Sequence, residues 1–115
     1  MESRTVQRTL GAMKRAVDIA RLVALRRELH AHAELAGKEI ETSRIIRGFV
    51  EENTPDGLVT GLGGYGLAVV FDSGEPGPTV MFRTEIDAIP VHETNDFGHR
   101  SRHDGVAHKC GHDGH

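Results

Sequence analysis

The hydrophobic positions of this chain change their period once, near residue 57. From Met13 to about His32, the apolar residues Met13, Val17, Ala20, Val23, Ala24 and Leu25 recur at helical spacing. Lys14, Arg15, Arg21, Arg26 and Arg27 fill mostly the other positions, a pattern that predicts an amphipathic helix. Gly37 breaks it. A second helix is expected from Glu39 to about Glu52, with Ile40, Ile45, Ile46 and Phe49 as its buried stripe. Asn53-Thr54-Pro55-Asp56-Gly57 ends that helix in a turn. The pattern then becomes that of strands. Leu58–Leu62 is short and partly β-branched, Gly63-Gly64-Tyr65-Gly66 is a flexible corner, and Leu67–Phe71 is a continuous apolar run. Ser73–Pro78 is rich in turn residues, and Thr79–Phe82 is another β run. Leu67–Phe71 and Thr79–Phe82 are therefore expected to pair as a hairpin. After Pro90 the chain is polar and aperiodic, a loop of about twenty residues, and loops of that length are usually functional.

The order helix, helix, strand, strand, strand, loop suits the opening of an α/β domain whose sheet needs further strands and helices to cover it. Residues 1–12 read as a polar lead-in and residues 13–115 as the domain portion. No internal repeat or low-complexity tract is present. The 115 residues, 37% hydrophobic and without Trp, allow one modest core. A partial domain of this kind buries little surface, so marginal stability is expected for it.

Charge narrows the partners. The net charge is −3 and positive residues are spread along the chain, so neither a basic block nor aromatic-basic interleaving points to nucleic acid. No apolar run approaches a membrane span, and the N-terminus lacks the apolar segment of a secretory signal. The single cysteine excludes an intramolecular disulfide and fits a reducing, cytoplasmic setting.

Candidate chemistry lies at the carboxyl end. Six of the eight histidines fall between His92 and His115. The final run Cys110-Gly111-His112-Asp113-Gly114-His115 packs a thiol, two imidazoles and a carboxylate around two glycines that permit tight turning. Thiolate and neutral imidazole are good ligands for a borderline-soft divalent metal. Cys110 and His112, two apart, can aim at one point. Asp113 and His115 are further ligands or partners that orient an imidazole. Two ligands do not complete a catalytic site, and no second ligand cluster is evident. A zinc finger is excluded by the spacing. A nucleophilic Cys110 with a His base is a weaker alternative, because no orienting residue can be named for it. The plain alternative is a polar loop that binds no metal. Upstream, Arg83-Thr84-Glu85-Ile86-Asp87-Ala88-Ile89-Pro90 places two carboxylates on one face of a strand end. Open α/β sheets put ligands at such ends. Asp87 there either orients a metal-ligating imidazole or caps the turn into Pro90.

In order, these stretches resemble the zinc-dependent amidohydrolase and metallopeptidase family that contains aminoacylases, hippurate hydrolases and the hydrolases of auxin–amino acid conjugates. Leu25–Leu35 with Glu39 and Thr42 is similar to its N-terminal helix signature, and Gly63–Gly66 to its glycine corner. Arg83–Pro90 is similar to its carboxylate-rich strand end, and His108–His115 to its first metal motif. The last is the specific one. The resemblance runs from about Leu22 to the end. It implies the N-terminal part of a phosphorylase/hydrolase-like α/β metallopeptidase catalytic domain, incomplete at this length. It also implies a two-metal site for zinc, or for Mn, Co or Ni, with Cys110 and His112 as ligands and Asp87 as an orienting residue. The remaining ligands and the glutamate general base are expected downstream. The implied reaction is hydrolysis of the amide bond of N-acyl amino acids, peptides or related small amides, with the isolated chain itself inactive. A second, smaller domain for dimer contacts or lid closure is implied for the full-length protein, and where it serves dimer contacts a homodimer is expected. Ala33 stands where the family usually has Pro, Glu85 where Asp is common, and Tyr65 where a small residue is usual; these departures bear on substrate choice. The alternative of another class is a non-catalytic metal-binding or interaction fragment.

Overall fold

Both expected helices form, and both owe their starts to carboxylates. The computed structural model describes residues 18–115, so the lead-in 1–12 and the first turn of the expected first helix lie outside the described residues. Helix α1 is Ile19–Ala31, with the Asp18 side chain accepting from the Arg21 backbone N–H at 3.1 Å. That is an ordinary side-chain N-cap. Helix α2 is Ile40–Glu52, and its N-cap residue Glu39 makes no side-chain cap bond. Glu34 does that work from outside the helix. Its carboxylate accepts from the Thr42 N–H at 2.7 Å, the Thr42 hydroxyl at 2.8 Å and the Glu41 N–H at 3.3 Å. A negative charge at a helix start also suits the helix dipole. Arg21 of α1 pairs with Glu52 of α2 and lies over the Phe49 ring, 5.3 Å from its centroid.

The sheet is smaller than expected. Strands β1 (Gly57–Leu62) and β2 (Gly66–Val70) pair antiparallel, with a register shift between Thr60 and Leu62. The glycine corner is thus the hairpin turn itself. A Cβ on Gly66 would sit 2.5 Å from the Leu62 carbonyl oxygen, so only glycine closes this turn. The expected pairing of Leu67–Phe71 with Thr79–Phe82 is overturned. β2 pairs with β1, and Thr79–Phe82 is exposed and joins no strand among the described residues. A β run whose backbone donors and acceptors find no neighbouring strand does not join a ladder, whatever its side chains prefer.

The buried apolar residues are few and mostly small: Leu29, Ala31, Ala33, Ile45, Ala88 and Ala107. The expected apolar stripe of the first helix stays largely in solvent at Ala20, Val23 and Ala24. Burial falls instead on the last turn, Leu29–Ala31. Of the α2 stripe, Ile45 is buried, Ile46 and Phe49 are half-buried, and Ile40 is exposed. The radius of gyration, 17.0 Å, exceeds the roughly 13 Å of a compact domain of about 100 residues. No helix among the described residues is long and apolar enough to cross a membrane.

The polar stretch after Pro90 is tied to the end of α1. Leu35 bridges Ala88 in parallel, and Ile89 bridges Ala107 antiparallel. The Arg102 N–H donates to the Ala31 carbonyl at 2.9 Å, and the His103 imidazole bonds the Ala33 carbonyl at 2.6 Å. These bonds fix the turn at Ala33, which has no proline to stiffen it.

Candidate metal centre

Two periodicities meet at the carboxyl end. Glu85 and Asp87 stand two apart after Phe82, the spacing that shares a side in strand-like backbone. His112–Gly114 is a 3-10 turn. Three residues per turn places His112 and His115 over one another, with ring centroids 5.2 Å apart. The two rows then pair. Asp87 Oδ1 lies 2.9 Å from His112 Nδ1, and Glu85 Oε2 lies 3.3 Å from His115 Nδ1. The Asp87 carbonyl oxygen is also 3.1 Å from His112 Nδ1. Both Asp87 atoms are acceptors, so Nδ1 is the donor in these bonds.

Cys110 meets the same residue. Its exposed thiol is 3.8 Å from the Asp87 carbonyl oxygen. Gly111, with φ of 92°, makes the left-handed step between the thiol and the His112 imidazole. Asp87 therefore anchors both sequence-predicted ligands. The ligand atoms of Glu85, His112 and His115 lie within 4.8 Å of one another, a set that does not include Cys110. Glu85, one of the two carboxylates expected on one face, is thereby brought to both imidazoles. Imidazole nitrogens, a carboxylate and a nearby thiol form a donor set suited to a divalent transition metal.

Asp113 is committed elsewhere. It is buried, with Oδ2 at 2.9 Å from His30 Nδ1 and 3.4 Å from Arg26 Nε. His30 is also buried, and its other nitrogen is 2.8 Å from Glu93 Oε1. Glu93 further accepts from the Ser101 N–H at 2.6 Å, and from Asn95 and Lys109, each at 3.1 Å. Burial works to raise the Glu93 pKa, but the Ser101, His30, Lys109 and Asn95 bonds outweigh it and bring it down to about 2. His108 is buried with neither ring nitrogen hydrogen-bonded among the described residues. Burial lowers its pKa and keeps it neutral. It borders a cleft of about 470 Å³ that runs from the apolar side of α1, past Ile46 and Phe49, to His112 and His115.

The sequence missed His30, Glu93 and His108 as parts of one arrangement. His30 lies 63 residues from Glu93 and 83 from Asp113, so no local spacing reports their meeting. Of the remaining histidines, His92 lies apart from the site in an exposed pair with Asp104 at 2.9 Å, and His99 stacks on Phe97 and meets the His30 ring edge-on.

No protein-family model matches the chain. It is 43% identical over 93 residues to an uncharacterized hydrolase of Staphylococcus haemolyticus, covering 78% of this chain and 23% of that protein. It is 38% identical over 95 residues to the N-acetylcysteine deacetylase of Bacillus subtilis, covering 83% of this chain and 25% of the deacetylase. Among solved structures it resembles the Bacillus subtilis YXEP protein, a dinuclear metal binding peptidase from the M20 family, with 36% identity and a TM-score of 0.76. That match covers 84% of this chain and 28% of the peptidase. The chain spans about a quarter of the length of the curated relatives it matches. Over most of its length, then, it is similar to part of hydrolases that include a deacetylase and an M20-family peptidase, and its helices and hairpin match part of that peptidase's fold.

Proposed function

We propose that this chain contributes the first metal-ligand segment of a metal-dependent amidohydrolase that acts on N-acyl amino acids or related small amides. The observation that carries this is the Asp87 carboxylate at 2.9 Å from His112 Nδ1. It fixes the ring orientation and tautomer that a metal-ligating histidine needs. Cys110 and His112 would hold the metal, and Asp87 would orient His112. The metal, zinc in this reading, supplies Lewis acidity at the amide carbonyl and lowers the pKa of an attacking water. Further ligands, the glutamate general base and a dimerising domain are assigned to the part of the relatives that this chain does not span. A metal peptidase among the relatives supports the metal, and a deacetylase of an N-acyl amino acid supports the substrate class. The single thiol fits a cytoplasmic setting.

A second reading, a non-catalytic metal-binding fragment, is favoured by one observation. Glu85, His112 and His115 form a three-ligand set within the chain itself.

A chimera separates the two readings. Residues 22–115 replace the matching quarter of the N-acetylcysteine deacetylase, and zinc content and N-acetylcysteine hydrolysis are measured. The proposal expects zinc-dependent hydrolysis. It also expects zinc affinity to fall about 10- to 100-fold in Cys110→Ser and His112→Ala. A folded chimera that retains zinc and hydrolyses nothing, or unchanged zinc retention in both variants, sinks the proposal.

A further inference from the structure

His30 stands on the last turn of α1 with its side chain only 5% exposed. Each of its ring nitrogens faces a buried carboxylate, Asp113 on Nδ1 and Glu93 on Nε2. Ionised carboxylates only accept hydrogen bonds. Glu93 is held ionised by four donors, and Asp113 has Arg26 beside it. The ring is therefore held at both nitrogens, 2.9 Å from Asp113 and 2.8 Å from Glu93. Phe97 and His99 meet it edge-on at 5.6 and 5.5 Å between centroids, which restrains rotation of the ring.

Asp113 lies in the middle of the turn whose first residue is His112. Holding the Asp113 carboxylate inward fixes the roll of that turn. Fixing the roll decides whether His112 presents Nδ1 to Asp87. We infer that His30 is a positioning residue for the metal motif. Braced by Glu93 on one nitrogen, it grips Asp113 with the other and so sets the His112 ring against Asp87. The inference rests on the reading of His112 as a metal ligand. It adds a residue on the first helix, distant in sequence, whose role is to aim that ligand.

The test uses the 115-residue chain with ¹⁵N-labelled histidine, Zn²⁺ alone as the probe, and long-range ¹H–¹⁵N spectra of the imidazoles. In the parent chain, a hydrogen is expected on His30 Nδ1, facing Asp113, and His112 is expected with a hydrogen on Nδ1, facing Asp87. A His30 Nδ1 without a hydrogen overturns the inference and requires no variant. His30→Leu is expected to mix the His112 tautomers and weaken Zn²⁺ binding about tenfold. Asp113→Asn, whose amide oxygen still accepts from His30, is expected to keep the tautomer and to stay within about threefold of the parent affinity. Thr42→Val, which removes a buried hydroxyl bond to Glu34, is expected to lower stability and leave the His112 signals unchanged. If Thr42→Val mixes the tautomers as His30→Leu does, the effect is general loosening and the inference falls. A folded His30→Leu with parental tautomer and affinity overturns it too. Where His30→Leu does not fold, the parent spectrum decides. The underlying metal reading fails separately, if Zn²⁺ leaves the His112 Nε2 signal in place and His112→Ala binds Zn²⁺ like the parent.

Discussion

Val80, Met81 and Phe82 are 71%, 84% and 89% exposed, whereas Glu93, His108 and Asp113, in the polar stretch that follows, are 6%, 5% and 8% exposed. The first run has strong β character and no strand beside it among the described residues. Its side chains gain nothing from burial, and its backbone stays with solvent. The second stretch has no periodicity, yet Glu93 alone collects bonds from Ser101, His30, Asn95 and Lys109. Polar groups are buried here because most of them are paired, and a paired charge tolerates the interior that an unpaired one does not. The comparison teaches that burial in this chain follows available partners more than hydrophobicity.

The sharpest way to break that comparison is to remove the hub of the polar region. Glu93→Ala leaves His30 Nε2 and Lys109 without the Glu93 acceptor and is expected to cost about 3–5 kcal/mol. The expected signature is a loss of hydrogen-exchange protection across residues 92–109. A cost below about 1 kcal/mol would show that the network does not order the loop.

Acid acts on the same residue with less force. The folded-state pKa of Glu93 is depressed from an ordinary 4.5 to about 2. Its stabilisation is fully present above about pH 4.5 and is lost as pH falls towards 2, because the unfolded chain takes up the proton first. Denaturation curves measured through that window should fall for the parent chain and fall less steeply for Glu93→Gln. Equal slopes would remove Glu93 from the acid response.

The smallest effect is expected where the apolar run stands in solvent. Met81→Ser with Phe82→Ser should change stability by no more than about 0.5 kcal/mol. A loss above about 1.5 kcal/mol in the same denaturation experiment would place this run in a core and erase the contrast.

Much of the fold was legible because its signals are local. Both helices, the turn after α2 and the runs that became β1 and β2 follow from spacing and turn residues within a few positions. The hairpin partner was misread because Leu67–Phe71 is flanked on both sides by a β run, and apolar composition does not say which neighbour supplies the ladder. β1 wins through Gly63–Gly66, a turn short enough to close. The start of α2 was legible, but its cap was not. Glu34 lies outside the helix and reaches its first turn only after the chain has folded back.

The sequence by itself determined which donor side chains crowd the carboxyl end and that Glu85 and Asp87 stand two apart. Residue type and near-neighbour spacing fix both. Only the tertiary structure decided which acceptor meets which imidazole. Asp87 was brought to His112 and Glu85 to His115, while Asp113 was turned inward to His30. A hydrogen bond is won at about 3 Å, and residues 25 to 83 positions apart reach that distance only when the backbone between them has been placed.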